Sequence, residues 1–363
     1  MVNIMYKPLH IGNLIAKFPI IQGGMGVGVS LSSLAGTVAA NGGIGVISTA
    51  QIGYLEEDFY KNPLEANLRM IGEHIKKARE IAPSGILGVN IMVATKQYKS
   101  YVLEAVKHGI DIIISGAGLP IELPTLVKNS KTKIVPIVSS LKAASILLKL
   151  WDKKEKTTAD GIIIEGPEAG GHLGFKLDYL QEKEWEDTGN NGPSTFIHEV
   201  EEIIKLIKTY EEKYDKHIPV IIAGGVDDKK KMEYYFDLGA SGIQVSTKFV
   251  TTKECDADIK FKEAYIGSKK EDIVFVNSPV GMPGRALNTD FVKRTQEGPI
   301  KVNRCTNCIA TCNPATTPYC ITEALIRAAK GDIDNGLVFC GSNAYNENSI
   351  RTVEDVFKDF FEM

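Results

Sequence analysis

Eight short β-branched runs recur along this chain, most of them carrying glycine or small polar residues near their ends, with amphipathic stretches between them. They are FPIIQGG (18–24), GIGVIST (43–49), ILGVNIM (86–92), DIIISGAG (111–118), KIVPIVSS (133–140), GIIIEGPEAGG (161–171), PVIIAGG (219–225) and GIQVSTKF (242–249). The runs are apolar on both faces, as parallel strands covered by helices must be. The intervening segments read as helices. SLSSLAGTVAAN runs to Gly42 and SYVLEAVKHG to Gly109, glycines where a helix stops. TFIHEVEEIIKLIKTYEEKY (195–214) carries apolar residues at helical spacing. Eight such units predict a TIM (β/α)8 barrel over roughly residues 12–266. A doubly wound open sheet is the alternative, because the count of units does not establish closure. Beyond about residue 266 the rhythm breaks. The chain therefore divides into 1–266, the barrel, and 267–363, a C-terminal cap that returns to it. The irregular stretch FKLDYLQEKEWEDTGNNGPST (175–195) follows the sixth glycine loop, where an active-site lid is expected.

Bulk properties narrow the function. A formal charge of −3 provides no uncompensated basic surface for nucleic acid. No apolar run approaches the roughly 18 residues that span a bilayer. The first twenty residues show no signal-peptide pattern, so a cytoplasmic location is expected. The expected partner is a small-molecule substrate, with a homodimer as a candidate assembly.

The turn QGGMGVGVS (22–30) has the look of a phosphate loop, but it lacks the lysine of a P-loop. A dinucleotide fingerprint fails too: its third glycine position falls on Val29, and the next strand ends in Ser48–Thr49 with no acid for a ribose. What Gly23 and Gly24 permit is close approach of bare backbone to a flat ligand, with Met25 as a soft surface beside it. Further glycine clusters lie at the ends of other runs, and in a barrel all of these face one mouth. AGG (223–225) and QVST (244–247) occupy the usual barrel phosphate position, where amides and the Ser246 or Thr247 hydroxyl can hold a dianion. Asn90 directs an amide to the same mouth. FMN suits such a pocket, and a sugar phosphate or nucleotide would use similar parts.

The motifs QGGMG, GVNIM, EGPEAGGHLG, IAGGV and QVSTKF, in this order, resemble those of the nitronate monooxygenases, formerly 2-nitropropane dioxygenases. They also resemble the FMN-dependent enoyl-acyl-carrier-protein reductases of the FabK type. The resemblance covers about residues 12–250 and implies a TIM barrel with non-covalent FMN at its mouth. It implies that Gly23, Gly24 and Met25 line the flavin ring and that Asn90 and Gly116 border it. Gly170 and Gly171 would lie against the cofactor, while Gly224, Gly225, Gln244, Val245, Ser246 and Thr247 hold its phosphate. Glu165 stands where many nitronate monooxygenases have glutamine, which tilts toward reductase chemistry with NAD(P)H as co-substrate. The resemblance makes His172 the catalytic group, binding nitro oxygens or removing an α-proton, with a pKa near neutrality suited to both. Glu168 is expected to hold the loop. A flavin-free phosphate-sugar isomerase on the same barrel is a further reading, as is a catalytically silent flavin or iron–sulfur protein.

Four of the six cysteines crowd into CTNCIATCNPATTPYC (305–320). The spacing of Cys305, Cys308, Cys312 and Cys320 suits an iron–sulfur cluster or zinc, and buried thiols would satisfy it equally. Cys340 is expected beside a flavin-side loop, and Cys255 has no evident role.

Overall fold

The computed structural model describes residues 6–182 and 194–362. Strands β1 (Leu9–Ile11) and β2 (Leu14–Ala16) form an antiparallel hairpin. The barrel strands follow: β3 (Ile20–Gln22), β4 (Ile44–Ser48), β5 (Ile86–Met92), β6 (Ile112–Gly116), β7 (Lys133–Val138) and β8 (Ile162–Glu165). After the two-residue strand β9 (Gly171–His172), β10 (Val220–Ala223) and β11 (Gly242–Val245) complete the set. All eight predicted runs contain a barrel strand, and closure is direct: β11 pairs in parallel with β3, Ile243 opposite Ile20 and Val245 opposite Gln22. That pairing removes the open-sheet alternative.

Consecutive isoleucines explain why the runs are apolar throughout. Ile21, Ile112, Ile114, Ile163 and Ile221 point inward, where they meet Leu9, Ile11 and Ala16 of the hairpin, which plugs the barrel floor. Their neighbours Ile20, Ile113, Ile162, Ile164 and Ile222 belong to the outer layer beneath the helices. A period of two thus serves two cores.

Strands β3 and β4 share a single register pair, Ile21 with Ile44. The fully buried Gln22 side chain extends that short seam: its Oε1 accepts from the Val46 amide at 3.0 Å and its Nε2 donates to the Val46 carbonyl at 3.2 Å. A side-chain amide here takes the place of missing ladder bonds.

The rest of the chain builds on the mouth. β12 (Ile273–Asn277) and β13 (Pro283–Leu287) form a hairpin, and β13 also pairs with β9, giving a sheet in the order β12-β13-β9. The last helix, Val353–Phe360, returns to the barrel wall and sets Phe357 edge-on to Phe18 and Phe249. Of the expected lid, Leu177–Glu182 is helix, while 183–193 lies outside the described residues. Among the described residues no helix is long and apolar enough to cross a membrane.

Gln22→Leu leaves a buried amide and carbonyl of Val46 without their partner, so it is expected to destabilise the protein by about 1–3 kcal/mol. Urea unfolding followed by circular dichroism measures this; an unchanged midpoint would show that Gln22 does not carry the seam.

Candidate active site

The C-terminal ends of the barrel strands and the cap enclose one cavity. Gly24, Met25, Asn90, Gly116, Glu165, Gly170, Gly171, His172, Gly224, Gly225 and Gln244 to Thr247 all contribute to its lining. Gly23 does not: it is buried below, and a Cβ there would collide with Ser246 Oγ and crowd Gln244. Glycine at 23 lets two strand ends meet, whereas glycine at 24 leaves room for Asn90.

Two glycine loops shape the slot. Gly224 and Gly225 have φ of +90° and +77°, a region that strains other residues. A Cβ on Gly224 would press on the Gly166 carbonyl and the Ala169 amide, and one on Gly225 would strike the Glu168 carboxylate. Gly170 packs on the Cys340–Gly341 peptide, while Gly171, at φ +72°, has nothing within 4 Å of where a Cβ would lie. Ser246, Thr247, Gly341 and Ser342 face the cavity from the same side. Lys248 also lines it but is paired with Asp359 at 3.0 Å and Glu347 at 3.8 Å. Amides and hydroxyls are therefore what this end offers an anion. Buried Gln244 Oε1 has no hydrogen-bond partner among the described residues, an acceptor awaiting a donor.

His172 sits on β9, opposite Gly284 of β13. Its Nε2 is 2.7 Å from Ser278 Oγ, which also accepts from the Val280 amide at 3.3 Å. The Phe339 ring meets the imidazole edge-on, with centroids 5.0 Å apart. Burial pushes the His172 pKa down to about 4, away from the near-neutral value expected from the sequence. Among the described residues no carboxylate is hydrogen-bonded to the ring to hold a proton on it. Glu165 is moved in the opposite direction: burial raises its pKa, opposed by bonds from the Gly174 amide and Ser139 hydroxyl, both at 2.9 Å, and by the charge of Arg285.

Glu168 holds the loop rather than the imidazole. It is ion-paired with Lys231, and its carbonyl accepts from the Ser342 amide at 3.1 Å. Arg285 performs the complementary task from β13. Its buried guanidinium donates to the carbonyls of Ala169 and Pro167, the latter at 2.8 Å, beside the Phe275 ring. Sequence reasoning missed Arg285, Ser278 and Phe339, since each lies in the cap more than 100 positions from the loop it supports. The cap hairpin was their only local signal. Cys340 does line the cavity, and Cys255 is buried in the outer core.

A closed barrel whose mouth carries a glycine-walled slot and one buried imidazole defines a TIM-barrel enzyme. The sequence profile described as "Nitronate monooxygenase" matches residues 7–362, and the chain belongs to the nitronate monooxygenase family of oxidoreductases. A Staphylococcus saprophyticus protein named "Probable nitronate monooxygenase" is 26% identical over 311 residues, 79% of this chain and 80% of that one. Among solved structures, FabK from Thermotoga maritima superposes with a TM-score of 0.68 at 25% identity, covering 94% of this chain and 91% of that one. The nitroalkane oxidase from Streptomyces ansochromogenes gives a TM-score of 0.68 at 17% identity, over 94% and 95% of the two chains, a likeness of fold.

The shift at His172 has a measurable sign. Its folded pKa of about 4 lies below the ordinary 6.5, so the unfolded chain takes up the proton first as pH falls. The associated stability is present above 6.5 and is lost on acidification toward 4. In histidine-selective NMR, the imidazole signal that disappears in His172→Asn is expected to titrate with a midpoint near 4. A midpoint near 6.5 would mean the ring is solvated.

Proposed function

We propose that this chain is an FMN-dependent nitronate monooxygenase that oxidises alkyl nitronates with O2 in the cytoplasm. What supports the reading most is His172 at the edge of a cavity walled by bare backbone. The residues present fit FMN. Gly224, Gly225, Ser246, Thr247, Gly341 and Ser342 offer amides and hydroxyls to a phosphate, and Gly24, Met25 and Asn90 offer a flat, uncrowded flank to a ring. Gln244 Oε1 would gain the donor it lacks from a ligand hydroxyl or ring N–H. Bound there, FMN supplies the electron transfer between substrate and O2, and the protein supplies binding, orientation and electrostatics.

With Nε2 engaged by Ser278, Nδ1 is the imidazole nitrogen without a partner among the described residues. A neutral ring protonated at Nδ1 can donate one hydrogen bond to a nitronate oxygen. The same ring is a poor base toward carbon at neutral pH, because a conjugate acid with a pKa of about 4 lies far from the operating range. The reading therefore favours the preformed nitronate anion over the neutral nitroalkane.

A second reading, enoyl-thioester reduction through FMN with NAD(P)H, draws on Glu165 and on the likeness to FabK. Anaerobic mixing with NADH separates the two. We expect no rapid bleaching of the flavin, but O2 uptake on adding a simple alkyl nitronate, with kcat/KM higher than for the parent nitroalkane. His172→Ala should lower kcat/KM by about 10²–10³-fold, the effect of losing one positioned hydrogen-bond donor, while FMN remains bound. Rapid bleaching by NADH would transfer the assignment to the reductase. A colourless protein that acquires no flavin spectrum with added FMN would overturn both and leave a flavin-free barrel enzyme.

Gly225→Ala tests the phosphate end separately. A side chain there meets Glu168 at a φ of +77°, so FMN affinity is expected to fall at least about tenfold, the effect of roughly 1.4 kcal/mol. Flavin fluorescence titration measures it, and unchanged affinity would remove this loop from the FMN site.

A further inference from the structure

The cysteine cluster is not used by the reading above. Cys305, Cys308, Cys312 and Cys320 occupy an irregular cap segment that reaches across to the loop after β5. The Lys96 amide donates to the Cys308 carbonyl at 3.0 Å, the Ala310 amide to the Ala94 carbonyl at 3.0 Å, and Thr95 bridges to Ile309. Met92 and Thr95 of that loop line the cavity. Cys308 and Cys312 pack behind them in a cluster that includes Met92, Leu325 and Phe339. Cys308 and Cys312 therefore stand one side-chain layer behind the active-site wall.

Three features place the thiols in one neighbourhood. Cys308 lies within electrostatic reach of Cys305 and Cys312, and Cys320 of Cys305 and Cys308. Within the C-x2-C turn, Asn307 takes a left-handed φ of +56°, and its amide donates to Cys305 Sγ at 3.4 Å. A left-handed residue between two cysteines directs backbone N–H groups at sulfur, the second shell that a thiolate ligand requires. Cys320 caps the helix Ile321–Ala329, and the Glu323 amide reaches its sulfur. The Thr306 and Thr322 side chains approach Cys308. All four thiols are free, and among the described residues no three His, Cys, Asp or Glu side chains are yet drawn to ion-binding distances.

We propose that Cys305, Cys308, Cys312 and Cys320 are the four ligands of a [4Fe–4S] cluster placed behind the wall of the barrel-mouth cavity. Four thiolates without histidine or carboxylate form a soft donor set, selective for iron–sulfur or zinc. Three ligands within eight residues and a fourth eight positions further on differ from the paired C-x2-C knuckles of zinc ribbons. The site does not depend on which substrate the flavin pocket accepts.

Anaerobic purification of the full chain, followed by reconstitution with ferrous iron and sulfide, tests this. About four irons and four acid-labile sulfides per chain are expected, with an EPR signal after dithionite reduction that flavin cannot produce. Cys308→Ala and Cys312→Ala should each lose most of the iron, and Cys255→Ala, a cysteine remote in sequence and in another core cluster, should retain it. The absence of iron and sulfide from reconstituted wild-type protein would overturn the proposal, and so would one tightly held zinc per chain. Full iron content in a folded Cys308→Ala/Cys312→Ala double variant would do the same.

Discussion

A buried guanidinium bonded to two main-chain carbonyls joins the two halves of this site. Arg285 lies in the cap, and its partners Pro167 and Ala169 lie in the loop after the sixth barrel strand. An arginine cannot shed its charge at any relevant pH, so once buried it must be surrounded by acceptors. The loop provides them by holding its carbonyls toward the cap, which leaves Gly170 and Gly171 facing the cavity. Strand pairing between β9 and β13 fixes the same loop from the other side and carries His172 with it. Glu168, tied to Lys231, anchors the loop to the helix beyond β10. The imidazole is thus positioned by a sheet that exists only because the cap folds onto the barrel.

The electrostatics at the rim follow from the same burial. His172 is driven toward its neutral form, and Glu165 is also pushed toward neutrality. Lys248, at the phosphate end, already has carboxylate partners. The cavity consequently presents many dipoles and hydroxyls, with Asp227 held by the Asn343 side-chain amide. Carboxylates also line this cavity, and those of Glu168 and Glu347 are held by Lys231 and Lys248, which leaves the amide and hydroxyl dipoles to receive an anion.

The barrel was legible because its eight strands are parallel and doubly buried, so each appears as a largely apolar run, four of them ending in glycine. The mouth was legible for the same reason: glycines at 24, 170, 171, 224 and 225 mark where backbone must come close. The hairpin at residues 9–16 was not, because two three-residue strands fall below any periodic signal. Nor were Gln22, whose work at the β3–β4 seam depends on a register set by tertiary closure, and the Ser278–His172 contact, which spans 106 positions. The neutral state of His172 was misjudged because desolvation comes from Phe339 and the cap sheet, which no local pattern around EAGGH reveals.

The N-terminal hairpin has a consequence for traffic. By packing Leu9, Ile11 and Ala16 against the inward isoleucines, it stoppers the barrel floor. Traffic along the barrel axis is thereby barred from below, and organic molecules must reach the strand ends from the side of the cap. The direction of approach is set by the architecture of the floor, far from any group that touches the chemistry.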